Sequence, residues 1–482
     1  MNILTLVRIL GILTGVIGAF MLLPVGAGLF YGEGDWDKFL VVALGSMGVG
    51  GMMAFIGRNA TEVSERDGFV LVTAVWLTAM GVGGLPFYLS GAVPTLTDGF
   101  FEAMSGFTTT GASVLYDYGH ITHTVFLWRS LTHWIGGMGI IVLALVILPA
   151  LGIGGMELFK REVSGPYSDK LTPRIRDTAK ALWGVYVALT FAEFLVLMGA
   201  GMGPFDAINH SMASLATGGF STRETSIMEY HSPLIEWVII FFMLLGGMNF
   251  SLHYRFLTGG GSLKVYLQDT EWRWYVLGLG AASLAMAVYL FLVNGYTVSG
   301  SLTKSTFQAV SINTTTGFAS DDYVKWGAFP QIILLMLMLV GGMAGSTSGG
   351  LKWIRLLLMF KFSRIEMIRL VHPNAVVHAK VGKTRVHPAV LNNIFGFFFL
   401  YLTVLIGATL LLALDGNSIL ASFSGAVSAL GNVGPGLEAL GPMENFSRLS
   451  DSSKWVLTLC MLLGRLELMT VFVILMPSTW VR

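Results

Sequence analysis

Along the chain, apolar stretches of about twenty residues alternate with shorter segments that mix apolar residues with Ser, Thr and Gly. Six long stretches stand at 5–30, 38–57, 69–91, 179–200, 274–296 and 390–414, and four more, near 125–151, 234–256, 329–359 and 454–478, each follow a Thr/Gly-rich phrase. Ten membrane-crossing helices are therefore expected. Between the members of the last four pairs lie half-apolar segments too short to cross a bilayer and return. They fit helices that go halfway in and come back as extended backbone, which is tolerated at membrane depth only where it lines water or is buried in protein. The expected fold is an all-α polytopic membrane protein. The first run carries one early positive charge, as a signal peptide would, but exceeds the usual length of that segment and reads as a retained span.

The phrases between the stretches repeat. "FEAMSGFTTTGAS" (101–113), "FQAVSINTTTGFA" (307–319) and "SGAVSALGNVGPG" (424–436) align on a glycine without gaps, and "NHSMASLATGGFS" (209–221) fits less well. The first three share a serine six residues before the glycine: Ser105, Ser311 and Ser428. A second landmark follows 24 to 30 residues later: "WIGGMGI", "LLGGMNF", "LVGGMAG" and "LLGRLEL". Two landmarks recurring in one order four times indicate a fourfold repeat of span, short helix, Thr/Gly loop and span, after two additional spans. The units are 1–67 (the two N-terminal helices), then repeats at 68–160, 161–265, 266–375 and 376–482.

Composition narrows the class. With 54% hydrophobic and 12% charged residues in 482, the chain has too much apolar surface for a soluble globule. Its net charge is +1, and its basic residues are arranged by side of the membrane, not gathered in a groove, so no nucleic-acid partner is expected. Lys160, Arg161, Lys170, Arg174, Arg176 and Lys180 fall in one loop, and Lys352, Arg355, Lys361, Arg364, Arg369, Lys380, Lys383 and Arg385 in another stretch. By the positive-inside rule both are cytoplasmic, as are both termini. The segments with the Thr/Gly phrases carry Asp98, Glu102, Asp206, Glu224, Glu229, Asp321 and Asp322 and open to the outside. The single Cys460 excludes a disulfide framework or a cysteine metal site. "TGGGSLK" (258–264) and "GSTSGGLK" (345–352) lack phosphate-loop spacing, and HEXXH and GxSxG are absent, so neither a nucleotide site nor an enzymatic activity is expected on this chain.

Four pseudo-equivalent loops can surround one axis. Glycine permits the positive φ that turns carbonyls inward, and stacked carbonyl rings with threonine hydroxyls below replace the hydration shell of a monovalent cation. Short helices pointing their C-terminal ends inward would add negative potential there. The alternative for any single TTTG is an interfacial turn.

The phrases "TTTGAS", "LATGGFS", "TTTGFAS" and "LGNVGPG", with "GGMAGSTSGGLK" and "GRLELMT", resemble the Trk/Ktr/HKT superfamily of potassium uptake proteins, and within it the membrane subunits of bacterial Trk systems. The resemblance spans the chain. It implies a gated K⁺-selective pore in the bacterial inner membrane, with Rb⁺ as a surrogate ion and one filter glycine per loop. The matching filter residues are Thr109, Thr110, Gly111, Thr217, Gly218, Gly219, Thr315, Thr316, Gly317, Asn432, Val433 and Gly434. K⁺ is expected at Thr110, Gly111, Gly218, Gly219, Thr316, Gly317, Val433 and Gly434. In the second loop Gly219 is preferred to Gly218, because Phe220 then matches Phe318. In the fourth, "NVG" replaces "TTG", which removes a hydroxyl and makes the lower site asymmetric. A glycine in the first loop goes with potassium preference in that family, where serine favours sodium.

Two features resemble gating parts. The segment Gly341 to Gly350, "GGMAGSTSGG", puts five glycines and three hydroxyl residues in ten positions, enough to break a helix. Close helix packing through small residues is one reading. The resemblance implies a loop under the filter, with gate residues Gly341, Gly342, Gly345, Ser346, Thr347, Ser348, Gly349 and Gly350, and few packing contacts to hold it. Arg465 lies near mid-membrane, where an unpaired charge costs at least ~2.5–3.5 kcal/mol. It either faces the pore, as the resemblance implies, or pairs with an acid from another span. Arg129, His133 and Glu236 read as structural pairs or solvated groups, and Asn249 as a cavity residue or a helix cap.

The sequence leaves a K⁺-selective channel and an H⁺- or Na⁺-coupled symporter open, and the scarcity of intramembrane acids favours the channel. The basic loops satisfy the positive-inside rule, and the resemblance implies that a TrkA-like cytosolic nucleotide-binding subunit docks there and that the membrane subunit is a homodimer.

Overall fold

The computed structural model describes residues 3–59, 65–146, 171–375, 377–382 and 384–477. Lys160, Arg161, Lys170 and Lys383 lie outside the described residues, as does most of the loop expected at 160–180. The described chain is helical apart from one hairpin, β1 (Lys380–Val381) and β2 (Thr384–Arg385).

Helices α1 (Ile3–Phe20), α2 (Leu22–Tyr31) and α3 (Trp36–Ile56) come first. The backbones of α1 and α3 approach closely through Gly11, Gly18 and Gly50, where a Cβ at Gly18 would stand 2.7 Å from Ala43 O. Small residues allow this contact between apolar helices. Glu33, after α2, fixes the pair to the rest of the chain by accepting from His123 N at 2.7 Å and Thr124 N at 3.0 Å.

The remaining chain presents one pattern four times. A long helix is followed by a short one: α4 (Glu65–Leu89) by α5 (Leu96–Phe107), α7 (Leu171–Gly199) by α8 (Pro204–Leu215), α12 (Thr270–Leu292) by α13 (Val298–Asn313), and α16 (Pro388–Leu414) by α17 (Ile419–Gly431). Between the second and third pairs lies the short α11 (Lys264–Leu267). Each long helix packs against the short helix that follows it. Three short helices begin with a side-chain cap, Thr95, Thr297 or Ser418, and the fourth with Pro204 in its first turn; both devices suit orphan N-terminal amides.

After each Thr/Gly loop comes a second helix: α6 (His123–Val146), α9 (Pro233–Gly246), α14 (Ala328–Val340) or α18 (Asp451–Arg465). Each packs against the short helix of the next unit: α6 on α8, α9 on α13, α14 on α17, and α18 back on α5. The contacts close into a cycle.

Among the described residues, six helices are long and apolar enough to cross a membrane, and two bent pairs raise this to eight. The pairs are α9 with α10 (Phe250–Thr258), bent by 96°, and α18 with α19 (Leu468–Leu475), bent by 108°. The stretches at 234–256 and 454–478 are therefore not single straight helices. At the first break the carbonyls of Gly246 and Gly247 accept from Thr347 N and Met343 N instead of continuing a helix. At the second, Glu467 is left-handed with φ 57°. The stretch at 329–359 divides into α14 and α15 (Trp353–Val371), separated by the glycine-rich segment.

Candidate functional site

All four short helices end in one way. The amides of Thr110, Gly218, Thr316 and Val433 bond back five residues to Ser105, Ala213, Ser311 and Ser428 at 2.8, 2.8, 2.8 and 2.9 Å. The residue before each is left-handed: Thr109 (φ 52°), Thr217 (54°), Thr315 (58°) and Asn432 (55°). This is the helix-terminating Schellman pattern, which usually takes glycine or asparagine. A β-branched residue there is a genuine outlier, and three threonines hold that conformation, a strain that marks functional sites.

Two residues further on the chain is left-handed again, at Gly111 (φ 83°), Gly219 (81°), Gly317 (82°) and Gly434 (108°). Gly219, not Gly218, thus matches the other loop glycines. These residues meet. A Cβ on Gly111 would strike Gly218 O, one on Gly219 would strike Thr316 O, one on Gly317 would strike Val433 O, and one on Gly434 would stand 2.7 Å from Thr110 O. Each glycine therefore lies against the carbonyl preceding the glycine of another loop, and the fourth returns to the first. The four carbonyls belong to buried residues and accept no hydrogen bond from any described residue. Buried carbonyls are almost always paired, and a ring of four orphan acceptors has the chemistry to hold a cation.

The hydroxyls divide into two sets. Thr110 and Thr316 turn toward Thr108 and Thr314, each pair 2.8 Å apart. Of the left-handed residues, Thr109 Oγ1 is buried and unpartnered among the described residues, whereas Thr315 Oγ1 accepts from Gly349 N at 2.8 Å and Thr217 Oγ1 donates to Thr347 Oγ1 at 3.3 Å. Asn432 interrupts this level, donating to Thr110 Oγ1 at 3.0 Å and Met461 O at 2.9 Å.

The glycine-rich segment lies against these threonines. Ser346, Thr347 and Ser348 are buried. Thr347 Oγ1 bonds Leu215 O at 3.0 Å and Gly246 O at 3.1 Å, and Glu271 accepts from Ala344 N at 2.8 Å and Ile354 N at 3.1 Å. Lys352 bonds Ser348 O. Few contacts were expected for this segment; it is instead cross-linked by backbone and hydroxyl bonds, which small side chains make possible by exposing backbone. Asn249 caps α10 through Ser251 N at 2.9 Å and also stands beside Gly345.

Arg465 is 2% exposed and has no ion pair with a described acid. It donates to Thr347 O at 2.6 Å and Gly136 O at 3.2 Å, joining the glycine-rich segment to α6. Glu467, two residues on, pairs with Arg355.

Buried and half-buried ion pairs surround the loops, and sequence reasoning named Glu102 and Arg129 without pairing them and only the acid of the other two pairs. Arg129 bonds Glu102 at 2.8 Å, Ser113 Oγ at 3.1 Å and Ser221 O at 3.0 Å, tying the first loop to the second. Lys304 bonds Glu236 at 2.7 Å and Ser320 O at 2.8 Å, and Lys454 pairs with Asp98 at 2.6 Å. Asp98 and Glu102, counted in the sequence among the acids of the outer segments, are thus buried in ion pairs.

This arrangement, apolar helices arranged cyclically about a ring of unpaired carbonyls, defines a multi-pass membrane protein built to pass a cation. A family model described as TrkH, cation transport protein, matches residues 47–480. The chain is 40% identical over the full length of both chains to the Trk system potassium uptake protein TrkH of Escherichia coli K12. It is 34% identical to the Trk system potassium uptake protein TrkG of the same organism, over 98% of this chain and 97% of that one. The crystal structure of the potassium transporter TrkH from Vibrio parahaemolyticus superposes with a TM-score of 0.92, at 37% identity and full coverage of both chains. The chain belongs to the TrkH family of cation transport proteins.

Proposed function

We propose that the chain carries potassium into a bacterial cell across the inner membrane, through a gated, K⁺-selective pore lined by four filter loops. The observation that carries this reading is the closed ring of unpaired carbonyls at Thr110, Gly218, Thr316 and Val433, each against the glycine of another loop. Four such oxygens replace water around a desolvated monovalent ion. The names of the relatives, potassium uptake proteins, support K⁺ as the ion. On this reading the chain is a fourfold repeat (68–160, 161–265, 266–375, 376–482) behind two N-terminal helices (1–67).

The segment Gly341 to Gly350, with Arg465, is the gate. Its bonds to Thr315 and Thr217, next to the residues of the carbonyl ring, support this reading. A TrkA-like cytosolic nucleotide-binding subunit acts on the basic stretch 352–388, both termini are cytoplasmic, and the protein works as a homodimer; resemblance to the family and the distribution of Lys and Arg support these points.

One observation favours the alternative, an H⁺- or Na⁺-coupled symporter. Glu193 on α7 is fully buried beside Ser214 and has no ion-pair partner among the described residues. An intramembrane acid without a counter-charge can carry a proton.

The test is ⁸⁶Rb⁺ and Na⁺ flux into liposomes containing the purified chain or Gly111→Ser, with and without a proton gradient. Rubidium flux that follows membrane potential alone, with discrimination against sodium weakened by the substitution, is the expected result. Flux in fixed proportion to the proton gradient would establish the symporter, and discrimination indifferent to Gly111 would refute the filter.

A further inference from the structure

The second loop departs from the others just before its left-handed glycine: Gly218 stands where the other loops carry Thr110, Thr316 and Val433. A Cβ on Gly218 would lie within 2.6 Å of His133 Cε1 and closer still to Nδ1 and Cγ. The imidazole therefore occupies the volume that a side chain on this residue would need.

His133 lies three residues before the Gly–Gly landmark of α6. The same position in α9, α14 and α18 is Met243, Met338 and Met461, and all four side chains are fully buried. Because each of these helices packs on the short helix of the next unit, the repeat makes Met243 and Thr316, Met338 and Val433, and Met461 and Thr110 the positions equivalent to His133 and Gly218. Three of these pairs of positions combine a flexible methionine with a loop that has a side chain of its own. The fourth combines a rigid ring with a loop that has none. Methionine adapts to the space left to it, whereas a planar ring defines that space.

The ring is itself held in position. Its centroid lies 4.0 Å from that of Phe220, and the Arg129 guanidinium stacks on the same Phe220 at 4.0 Å. Neither imidazole nitrogen has a hydrogen-bond partner among the described residues. Leaving a buried polar group unsatisfied is costly, so ordinary core packing does not explain a histidine where the other units use methionine.

We propose that His133 is a positioning residue for ion selection. Its ring takes the place of the missing side chain at Gly218 and holds that carbonyl level with the other three. Glycine alone would leave this peptide the freest of the four, and one displaced ligand changes the field that the ion meets. This rests on the reading of the carbonyl ring as the ion path.

The test rebuilds the second pair in the form of the other three. Gly218→Thr alone sets a side chain against the ring, and His133→Met alone removes the ring from behind a bare glycine. Each is expected to lower Rb⁺-over-Na⁺ discrimination, and His133→Met/Gly218→Thr to recover it, a coupling of about tenfold between the two sites. Size-exclusion profiles report folding, and should the double variant not fold, His133→Met/Gly218→Val, drawn from the fourth loop, asks the same question. Single variants indistinguishable from the parent, or a folded double variant no better than Gly218→Thr, would overturn the proposal. Gly111→Ser, measured alongside, separates the two levels. If it too leaves discrimination unchanged, the filter reading fails; if it alone changes discrimination, only the role of His133 fails.

Discussion

Replacing Arg465 with alanine removes two charge-assisted hydrogen bonds, the 2.6 Å bond to Thr347 O and the 3.2 Å bond to Gly136 O. Bonds to charged groups contribute about 1.5–3 kcal/mol each, and the longer one lies at the edge of the normal range, so the pair contributes about 3–4 kcal/mol. Part of this is retained when the glycine-rich segment moves and its carbonyls meet water, which leaves about 2–3 kcal/mol specific to the closed arrangement. That corresponds to a shift of about 30- to 150-fold toward the open state, at 1.4 kcal/mol per tenfold. Loss of the positive charge beneath the ring acts in the same direction. The assay is basal ⁸⁶Rb⁺ uptake into proteoliposomes at a fixed membrane potential, with no regulatory subunit present. Arg465→Ala is expected to raise it strongly, and Arg465→Lys, which keeps the charge with a single donor group, to fall between. A variant that elutes like the parent but conducts no faster would refute the reasoning.

Two further expectations concern the scaffold. Glu102→Gln and Arg129→Met each leave a buried charge without its partner, which costs about 3–5 kcal/mol; replacing both together is expected to cost less than either alone, as read from detergent melting curves. Asp415 follows α16 and accepts from Ser450 at 2.6 Å, Ser453 at 2.6 Å and Ser452 at 2.7 Å around the start of α18. These bonds, that of Ser450 foremost, lower its pKa from 3.8 to about 2. A depressed carboxylate pKa adds stability that is fully present above the unfolded value and is lost as pH falls through the folded one. Asp415→Asn is therefore expected to melt below the parent by the same margin from pH 5 to 8, with the gap closing between about pH 4 and 2; a gap that changes between pH 5 and 8 would refute the assignment.

The local features of the site were legible in the sequence because they depend on fixed spacing. A bond back over five residues and a left-handed glycine two residues further on are tied to neighbouring positions, so Thr109 to Gly111 and Thr315 to Gly317 repeat as words. The Gly–Gly landmark has an equally local cause. Its first glycine presses on the end of its own unit's short helix, Gly136 on Phe107 O and Gly246 on Leu215 O, and its second gives room to the next unit, Gly137 to Ala216 and Gly247 to Thr314. Two adjacent glycines do not by themselves encode which is left-handed, but the match of Phe220 to Phe318 pointed to Gly219, and its φ of 81° agrees. Contacts made across the ring were not legible: Glu102 bonds Arg129 from 27 residues away, and Arg465 reaches carbonyls 118 and 329 residues away. Carbonyl acceptors have no letter in a sequence, so the fastening of the glycine-rich segment was missed. The role of His133 did have a signal, a column of three methionines broken by one histidine.

Two of the departures from the fourfold scaffold touch each other. In the first two units the second landmark glycine only clears space, and in the third Gly342 stands beside Ser348 of the glycine-rich segment. In the fourth the same position is Arg465, whose shorter hydrogen bond is to Thr347 of that segment. Four level carbonyls need four matched supports, so a departure that does not itself support the ring is expected to be removed unless it serves something other than ion selection. A segment inserted in one unit and a cation inserted in its neighbour, bonded to each other below the ring, have no use in making the ring equal. They suit a part with two positions, because the segment is held by bonds from hydroxyl, amide, ammonium and guanidinium groups to carbonyl, hydroxyl and carboxylate oxygens, and water can replace every one of these when the segment withdraws. A contact built from apolar side chains would have had no such substitute. On the proposed function, selection therefore rests with the carbonyl ring to which all four units contribute, and control with what the third and fourth add beneath it.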